Sequence, residues 1–525
     1  MQSRVLLIIP VIIGVFSYIL FGLGLLGAIN YFSISILSVL FLFIILLALF
    51  KNSKSVLSVY TQFKKNPQLS LILVAFILVN FIGVLGPELG FDALWYHLTL
   101  PKIYLETGTI SFIPGGILYY SLMPKLIDLL YIPALFFGGE ILAKFIHFLF
   151  GILTVIVTFK IANLFVNKKL SYLAAIIFYS NLIVGWMSIT SYIDLGRTFI
   201  TSVSIYFFLL YFIKKETKYL YASAVGFGLE IASKFLGFAT LFSVLLTFFV
   251  FWQNSNIINK FKKFTSLLLI PLLIVSPWLI FSFINSNNPF YPFFTSTYNF
   301  DISLNAFNPL LILKNIISLL LFAPDPISPV YFLTIPFLLV YFKQMSSELK
   351  ILLFLVIINL LIWNFVPQKN ARFILPYLPL FSVISVWVIG RISDYKIKSI
   401  FYVFIYLTFL INITYRGVAN FKYIPYIFGF ETKEDFLKQH LNFEFGDYID
   451  INGRVREITN GERVLIYGIH NLYYVDFPFD HESWVSYDKQ KYKYILSRGE
   501  FTLYSSYNLI YKDNLTNTYL YERNQ

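Results

Sequence analysis

The sequence contains no cysteine among its 525 residues. Disulfides, thiolate metal sites and cysteine nucleophiles are therefore excluded. Charge is scarce as well: Asp, Glu, Lys and Arg make up 13% of the chain, where an average soluble domain carries about 25%. The charge that is present leans one way, with 40 basic against 27 acidic residues and a formal net charge of +13. No HExxH, GxSxG or P-loop pattern occurs, and no histidines are paired at metal-ligating spacing. The common zinc, serine-hydrolase and nucleotide-driven pump chemistries are thereby removed.

Apolar residues fill the chain instead, at 58% hydrophobic and 20% aromatic, with a mean hydropathy of +0.74. This is the composition of a polytopic membrane protein. The basic residues fall in short clusters between apolar runs, as orientation in a bilayer demands, so the expected partners are membrane lipids and not nucleic acid. The apolar start after Arg4 lacks a small-residue cleavage site near residue 25 and reads as a first span, not a removed signal peptide.

Apolar runs of membrane length predict about thirteen spanning helices, near 5–27, 30–50, 67–86, 140–165, 170–190, 193–213, 219–234, 236–253, 264–285, 328–343, 350–366, 373–391 and 398–416. Even-numbered spans should end on basic loops if the N-terminus is cytoplasmic. They do, at Lys51, Lys54, Lys64 and Lys65, at Lys168 and Lys169, at Lys214, Lys215 and Lys218, at Lys260, Lys262 and Lys263, at Lys343 and Lys350, and at Arg391, Lys396 and Lys398. The opposite, extracytoplasmic face then receives Asp92, the 188–194 loop, the long stretch 285–328 and everything after Arg416.

Between Asp92 and Glu140 the chain is interrupted by Pro101, Pro114, Gly115, Gly116 and Pro124. Surface-lying amphipathic helices are expected there, at Leu100–Glu106 and Pro124–Leu135. The 285–328 stretch carries Asn288-Pro289-Phe290-Tyr291-Pro292 and an apolar piece around Leu310–Phe322, and reads as re-entrant or interfacial. The expected division is a membrane domain over 1–416 and an extracytoplasmic domain over 417–525. Short β-rich runs at 463–467, 492–496, 508–511 and 518–521 make the latter a small α/β or β module.

The first candidate residue is Asp92, in Gly90-Phe91-Asp92-Ala93-Leu94-Trp95-Tyr96-His97, directly after a membrane-length run. His97 and Lys102 stand beside it and Glu88 precedes it. Asp194, in Tyr192-Ile193-Asp194-Leu195-Gly196-Arg197, opens a later span on the same face. It either pairs with Arg197 at i,i+3 at a helix start or flanks a site with Asp92, one carboxylate acting as base and the other positioning a hydroxyl or a cation. Glu230 and Lys234 are spaced i,i+4 inside a span, where they neutralise each other or where Lys234 reaches a phosphate. Gln368-Lys369-Asn370-Ala371-Arg372 puts two cations on the face that should lack them. They are helix-end anchors, or Arg372, helped by Lys369, grips a lipid-linked phosphate.

These segments resemble the integral-membrane glycosyltransferases of the GT-C fold, in particular glycosyltransferase family 39, which groups protein O-mannosyltransferases with aminoarabinose transferases. The resemblance is carried by Phe91-Asp92-Ala93-Leu94-Trp95-Tyr96-His97-Leu98 with Pro101-Lys102, by Tyr192-Ile193-Asp194-Leu195 and by Arg372-Phe373-Ile374-Leu375-Pro376, with weaker echoes at Asn288–Pro292 and Gly228–Lys234. It implies a sugar donor on polyprenyl phosphate, an acceptor hydroxyl or amine on a lipid, glycan or protein, inversion at the anomeric carbon, and Asp92 as general base. Many relatives place a second acid directly after the first, whereas Ala93 follows here, which shifts weight onto Glu88, His97 and Asp194. A divalent cation, Mg or Mn, is used by some GT-C enzymes and not by others. Two other functions fit the composition. A transporter or flippase is motivated by Glu230 and Lys234, though no inverted repeat is found. A glycan polymerase or ligase would favour an arginine-rich external loop, and only Lys369 and Arg372 are offered.

Overall fold

The computed structural model describes residues 3–51, 64–252, 257–296, 298, 308–321, 325–366, 369–486, 488–502 and 504–524. Of the features above, Lys54, residues 297, 299–307 and 322–324 of the long polar stretch, and Gln368 lie outside this set. Each of the thirteen expected spans contains helix. Among the described residues eight helices are long and apolar enough to cross a bilayer: Leu6–Leu25, Tyr31–Ala48, Pro67–Val84, Asp128–Ala162, Asp194–Lys214, Ile257–Ser286, Ala371–Arg391 and Tyr395–Phe421.

The remaining expected spans are shorter helices, and polar residues explain where they stop. The run at 170–190 is two helices, Lys168–Tyr179 and Leu182–Met187. Asn181 sits at the break, its amide nitrogen donating to the Ile177 and Phe178 carbonyls at 2.8 Å and its oxygen accepting the Ser328 N–H at 2.7 Å. Backbone groups freed inside a bilayer are tolerated when protein satisfies them in this way. Helices Thr217–Ser233 and Gly237–Phe251 are likewise parted at Lys234, whose backbone is extended.

Helix Asp194–Lys214 is the axis of the bundle, with 94% of its apolar window buried. A helix covered on all sides needs apolar residues all round. Three of its hydroxyls are satisfied internally: Thr198, Thr201 and Ser204 donate to carbonyls one turn back at 2.6–2.9 Å.

The loop after Pro67–Val84 folds into a wide turn at Ala93–His97, closed by a bond from the Leu98 N–H to the Ala93 carbonyl at 2.9 Å, and then into helix Thr99–Thr107. This second element matches the expected 100–106 helix, but Leu100 and Tyr104 are wholly buried under protein. The other expected surface helix, over 124–135, is not a separate element. A 3-10 turn at Asp128–Leu130 runs straight into Tyr131–Ala162, which kinks at Gly139 because that residue takes a positive φ of 62°. Only glycine adopts that conformation without a Cβ penalty.

After helix Tyr395–Phe421 the chain builds a five-stranded sheet from β1 (Val464–Tyr467), β2 (Phe479–His481), β3 (Tyr494–Arg498), β4 (Tyr507–Asp513) and β5 (Thr518–Arg523), in the order β2-β1-β3-β5-β4. Strand β1 pairs parallel with β2 and β3, while β5 pairs antiparallel with β3 and β4. The membrane helix runs on without a break at 416, so the change of architecture falls after Phe421. Strand β2, three residues long, carries no run that sequence pattern could single out.

The sheet domain is clamped onto the bundle. Lys102 donates to the Tyr473 carbonyl at 3.0 Å and to that of Val475, and the Tyr473 N–H donates to the Leu94 carbonyl at 3.2 Å. Glu140, beside the kink, accepts from the Tyr473 hydroxyl at 2.9 Å and pairs with Lys433 at 2.5 Å. Replacing Lys102 with Met leaves two carbonyls without their donor, at a cost of about 1–3 kcal/mol. Limited proteolysis of the Lys102→Met protein in detergent should therefore cut the 424–432 connector faster than in the wild type, and an unchanged cleavage rate would mean the clamp does not hold the domain.

Candidate active site

Asp92 ends the loop that follows helix Pro67–Val84, and Arg372 opens the segment Ala371–Arg391. The bundle brings them together, with 2.6 Å between an Arg372 terminal nitrogen and Asp92 Oδ2, and side chains 11% and 14% exposed. The Tyr96 hydroxyl donates to the same carboxylate oxygen at 3.3 Å, and the Asp92 backbone N–H donates to the Tyr192 hydroxyl at 3.0 Å. Arg372 lies over the rings of Tyr192 and Phe373, 5.2 and 5.1 Å from their centroids. Among the described residues its Nε has no hydrogen-bond partner.

Asp194 pairs with Lys234 at 3.1 Å, and the Lys234 ammonium stands 5.3 Å from the Phe373 centroid, on a ring that Arg372 also faces. Two expected pairs are corrected here. Asp194 does not pair with Arg197, and Lys234 does not pair with Glu230. The i,i+4 argument requires both residues to be helical, and Lys234 has left the helix, with φ −164° and ψ 135°. Arg197 points into the bundle, where it meets Glu230 at 3.1 Å. Glu230 also accepts from Thr240 at 2.7 Å, and Thr240 in turn meets the Tyr377 hydroxyl at 2.7 Å.

The other sequence candidates are committed to structure. Glu88 is buried and accepts three backbone N–H groups, from Leu89 at 3.0 Å, Gly90 at 2.7 Å and Ser191 at 2.6 Å. Burial pushes its carboxyl up, against the pull of Lys144 and of these N–H donors. Glu88 thus ties the Asp92 loop to the loop before Asp194 instead of standing in for either acid. Lys102 serves the domain clamp, and burial lowers its ammonium against Glu106 and Asp476. Lys369 caps a helix end through the carbonyls of Asn364 and Val366. His97 is buried behind Tyr96, its Nδ1 2.6 Å from Asp128 Oδ1 and its Nε2 without a partner among the described residues.

Among the described residues no three His, Asp or Glu side chains cluster closely enough to hold a metal ion. Asp92 and Asp194 each already face a fixed cation.

Searched with the sequence, a family described as dolichyl-phosphate-mannose-protein mannosyltransferase matches residues 129–281, a stretch that includes Asp194, Arg197, Glu230 and Lys234. No curated protein matches the sequence. The structure is similar to that of ArnT from Cupriavidus metallidurans in the apo state, with a TM-score of 0.60 at 13% identity, over 87% of this chain and 98% of that one. The chain has the GT-C fold. The same relative bound to undecaprenyl phosphate matches this GT-C chain with a TM-score of 0.59 at 12% identity, over 87% of this chain and 98% of that one.

Several residues that build this cluster were missed in the sequence. Lys144 crosses to the end of helix Pro67–Val84 and donates to the carbonyls of Gly83, Gly86 and Pro87 at 2.8, 2.7 and 3.2 Å. His147 accepts the Leu195 N–H at 2.8 Å and so fixes the helix start that carries Asp194. Lys125, next to Asp128 and bound to the Met123 carbonyl at 2.9 Å, is pushed down to about 7 by burial. Each is a lone ionisable or imidazole side chain in apolar sequence, and that expense was the available signal.

Removing one partner of the buried Arg197–Glu230 pair strands a charge and should cost about 3–5 kcal/mol. Thermal unfolding in detergent should show Glu230→Met strongly destabilised and the Arg197→Met/Glu230→Met double variant recovering most of the loss. Losses in the two single variants that simply add in the double variant would mean the two side chains are not coupled.

Proposed function

We propose that the protein is an inverting glycosyltransferase that moves a sugar from a polyprenyl-phosphate donor to an acceptor hydroxyl or amine at the outer face of the cell membrane, with its N-terminus in the cytoplasm. The observation that carries this reading is the 2.6 Å contact between Asp92 and Arg372, with the Lys234–Asp194 pair alongside. Support comes from the mannosyltransferase family match and from the fold shared with a protein solved with undecaprenyl phosphate.

In the resting site Asp92 and Arg372 hold one another. An arriving phosphodiester competes for Arg372, whose Nε is open and whose planar fork suits phosphate oxygens. Asp92 is then released as a base. The acceptor O–H or N–H attacks the anomeric carbon and passes its proton to Asp92. The bond from that carbon to the phosphate oxygen breaks, and the lipid phosphate departs on the opposite face.

The phosphate gains negative charge as it leaves. Arg372 and Lys234 therefore interact more strongly with the transition state than with the bound donor, which is the condition for catalysis. Asp194 keeps Lys234 in place. Glu230 is engaged by Arg197 and does not line a charge pathway with Lys234, which removes the motive for a transporter reading.

Transfer from synthetic polyprenyl-phosphate mannose and polyprenyl-phosphate aminoarabinose, followed in proteoliposomes, should fall about 10²–10⁴-fold in Asp92→Asn. Undecaprenyl phosphate should bind that variant at least as tightly as wild type, because Arg372 no longer has a charged competitor. An Asp92→Asn protein that transfers at the wild-type rate would sink the assignment.

A further inference from the structure

Beside Asp92 lies a group of aromatic faces that the reaction above leaves unused. Tyr96, bonded to Asp92, stacks on Tyr120 with centroids 3.6 Å apart and planes 14° from parallel. Tyr119 stacks on Tyr120 at 4.3 Å, and Trp95 meets Tyr120 edge-on at 5.1 Å. The group continues into the sheet domain. His470 stacks on Phe91 at 5.1 Å and packs on Trp95 at 4.4 Å, and Phe445 stands 5.7 Å from Phe91 while 69% exposed. Phe91, Trp95, Tyr119, Tyr120 and His470 are all partly open to solvent, and none of the five is an acid, a lysine or an arginine.

The half supplied by the sheet domain is rigidly placed. His470 Nδ1 lies 2.9 Å from Asn471 Oδ1, and the Asn471 amide donates to Asp447 at 2.6 Å. Gly446 has a φ of +121°, and a Cβ there would come within 2.7 Å of the His470 Cβ, so the close approach requires glycine. The Tyr473 N–H holds the Leu94 carbonyl at 3.2 Å, which fixes the turn bearing Trp95 against the domain bearing His470.

We propose that this shelf seats a sugar ring of the acceptor, so that the acceptor is a glycan or glycolipid and the C-terminal domain forms part of its binding site. The proposal rests on the glycosyltransferase reading. A pyranose presents a face of C–H hydrogens, which carry partial positive charge and are attracted to the negative face of an aromatic ring. The flat faces of these rings select such a face and repel the oxygens of a phosphate. A ring seated on Trp95, Phe91 and His470 brings its hydroxyls to the edge where Tyr96 and Asp92 meet, which is where the acceptor proton must be taken. The donor's phosphate is assigned to the other side, at Arg372 and Lys234, so donor and acceptor do not compete for the same groups.

The test uses the full-length protein in proteoliposomes with polyprenyl-phosphate mannose as donor and two acceptor probes, an alkyl glycoside and a serine/threonine peptide. Donor hydrolysis to water is followed separately, and saturation-transfer NMR reads binding of the glycoside. We expect transfer to the glycoside, with a KM for it raised about three- to ten-fold by His470→Ala, the size of one lost ring contact. Gly446→Ala, which displaces His470 without removing it, should do the same, and His470→Phe should restore the wild-type KM. Donor hydrolysis and undecaprenyl phosphate binding should stay unchanged in all three, and the melting temperature should fall only in Gly446→Ala, whose positive φ strains any residue with a Cβ. Transfer to the peptide but not to the glycoside would overturn the acceptor assignment while leaving the transferase intact. A glycoside KM unmoved by both His470→Ala and Gly446→Ala would overturn it as well. Glycoside binding that depends on His470, in a protein that neither transfers nor hydrolyses any donor, would keep the shelf and remove the transferase reading.

Discussion

The structure depends on matching the ionised side chains of Asp92, Asp194, Arg197, Glu230, Lys234 and Arg372, in a low-dielectric bundle, with partners brought from other segments. A charge left alone at that depth costs several kcal/mol, so each pair dictates which helices lie side by side. Arg197 and Glu230 join the central helix to Thr217–Ser233. Asp194 and Lys234 join the same two elements one turn nearer the site. Arg372 and Asp92 then bring Ala371–Arg391 against the loop after Pro67–Val84. The stacking of these three pairs places two carboxylates and two cations around the Phe373 and Tyr192 rings. The site follows from the requirement that buried charges be neutralised.

Glu88 shows how the same requirement fixes backbone. Its carboxylate holds three N–H groups from two loops, and Lys144 holds three carbonyls at the helix end just before. Together they replace the water that would otherwise solvate those orphaned groups. Asp92 is therefore presented on a loop whose shape does not depend on the Asp92 side chain, which suits a residue whose carboxylate must change partners during a reaction.

Much of the fold was legible in the sequence because membrane spans announce themselves by length and hydropathy alone. Helix occurs at all thirteen expected positions, although Asn181 and Lys234 divide or shorten what hydropathy reads as whole spans. Asp92, Asp194 and Arg372 stood out because charge next to a span is costly. Their pairing was not legible. The i,i+4 spacing of Glu230 and Lys234 suggested a local pair, and nothing in the sequence says that the helix ends at Ser233 and turns Lys234 toward Asp194. Lys102 and Lys369 could be picked out as cations on the right face but not as clamps on carbonyls far along or close by in the chain. The contribution of His470 and Phe445 was invisible, since it arises from long-range docking of one domain on another.

That docking has a consequence for the order in which the protein becomes competent. Synthesis proceeds from the N-terminus, and domains fold largely as they emerge. All three ion pairs can form once Arg372 and its helix are in the membrane. The wall beside Asp92 is complete only when residues 445–475 have folded against Leu94, Lys102 and Glu140. A nascent chain thus possesses its charged centre well before it possesses the full enclosure around it, and the last-made domain decides when the site closes.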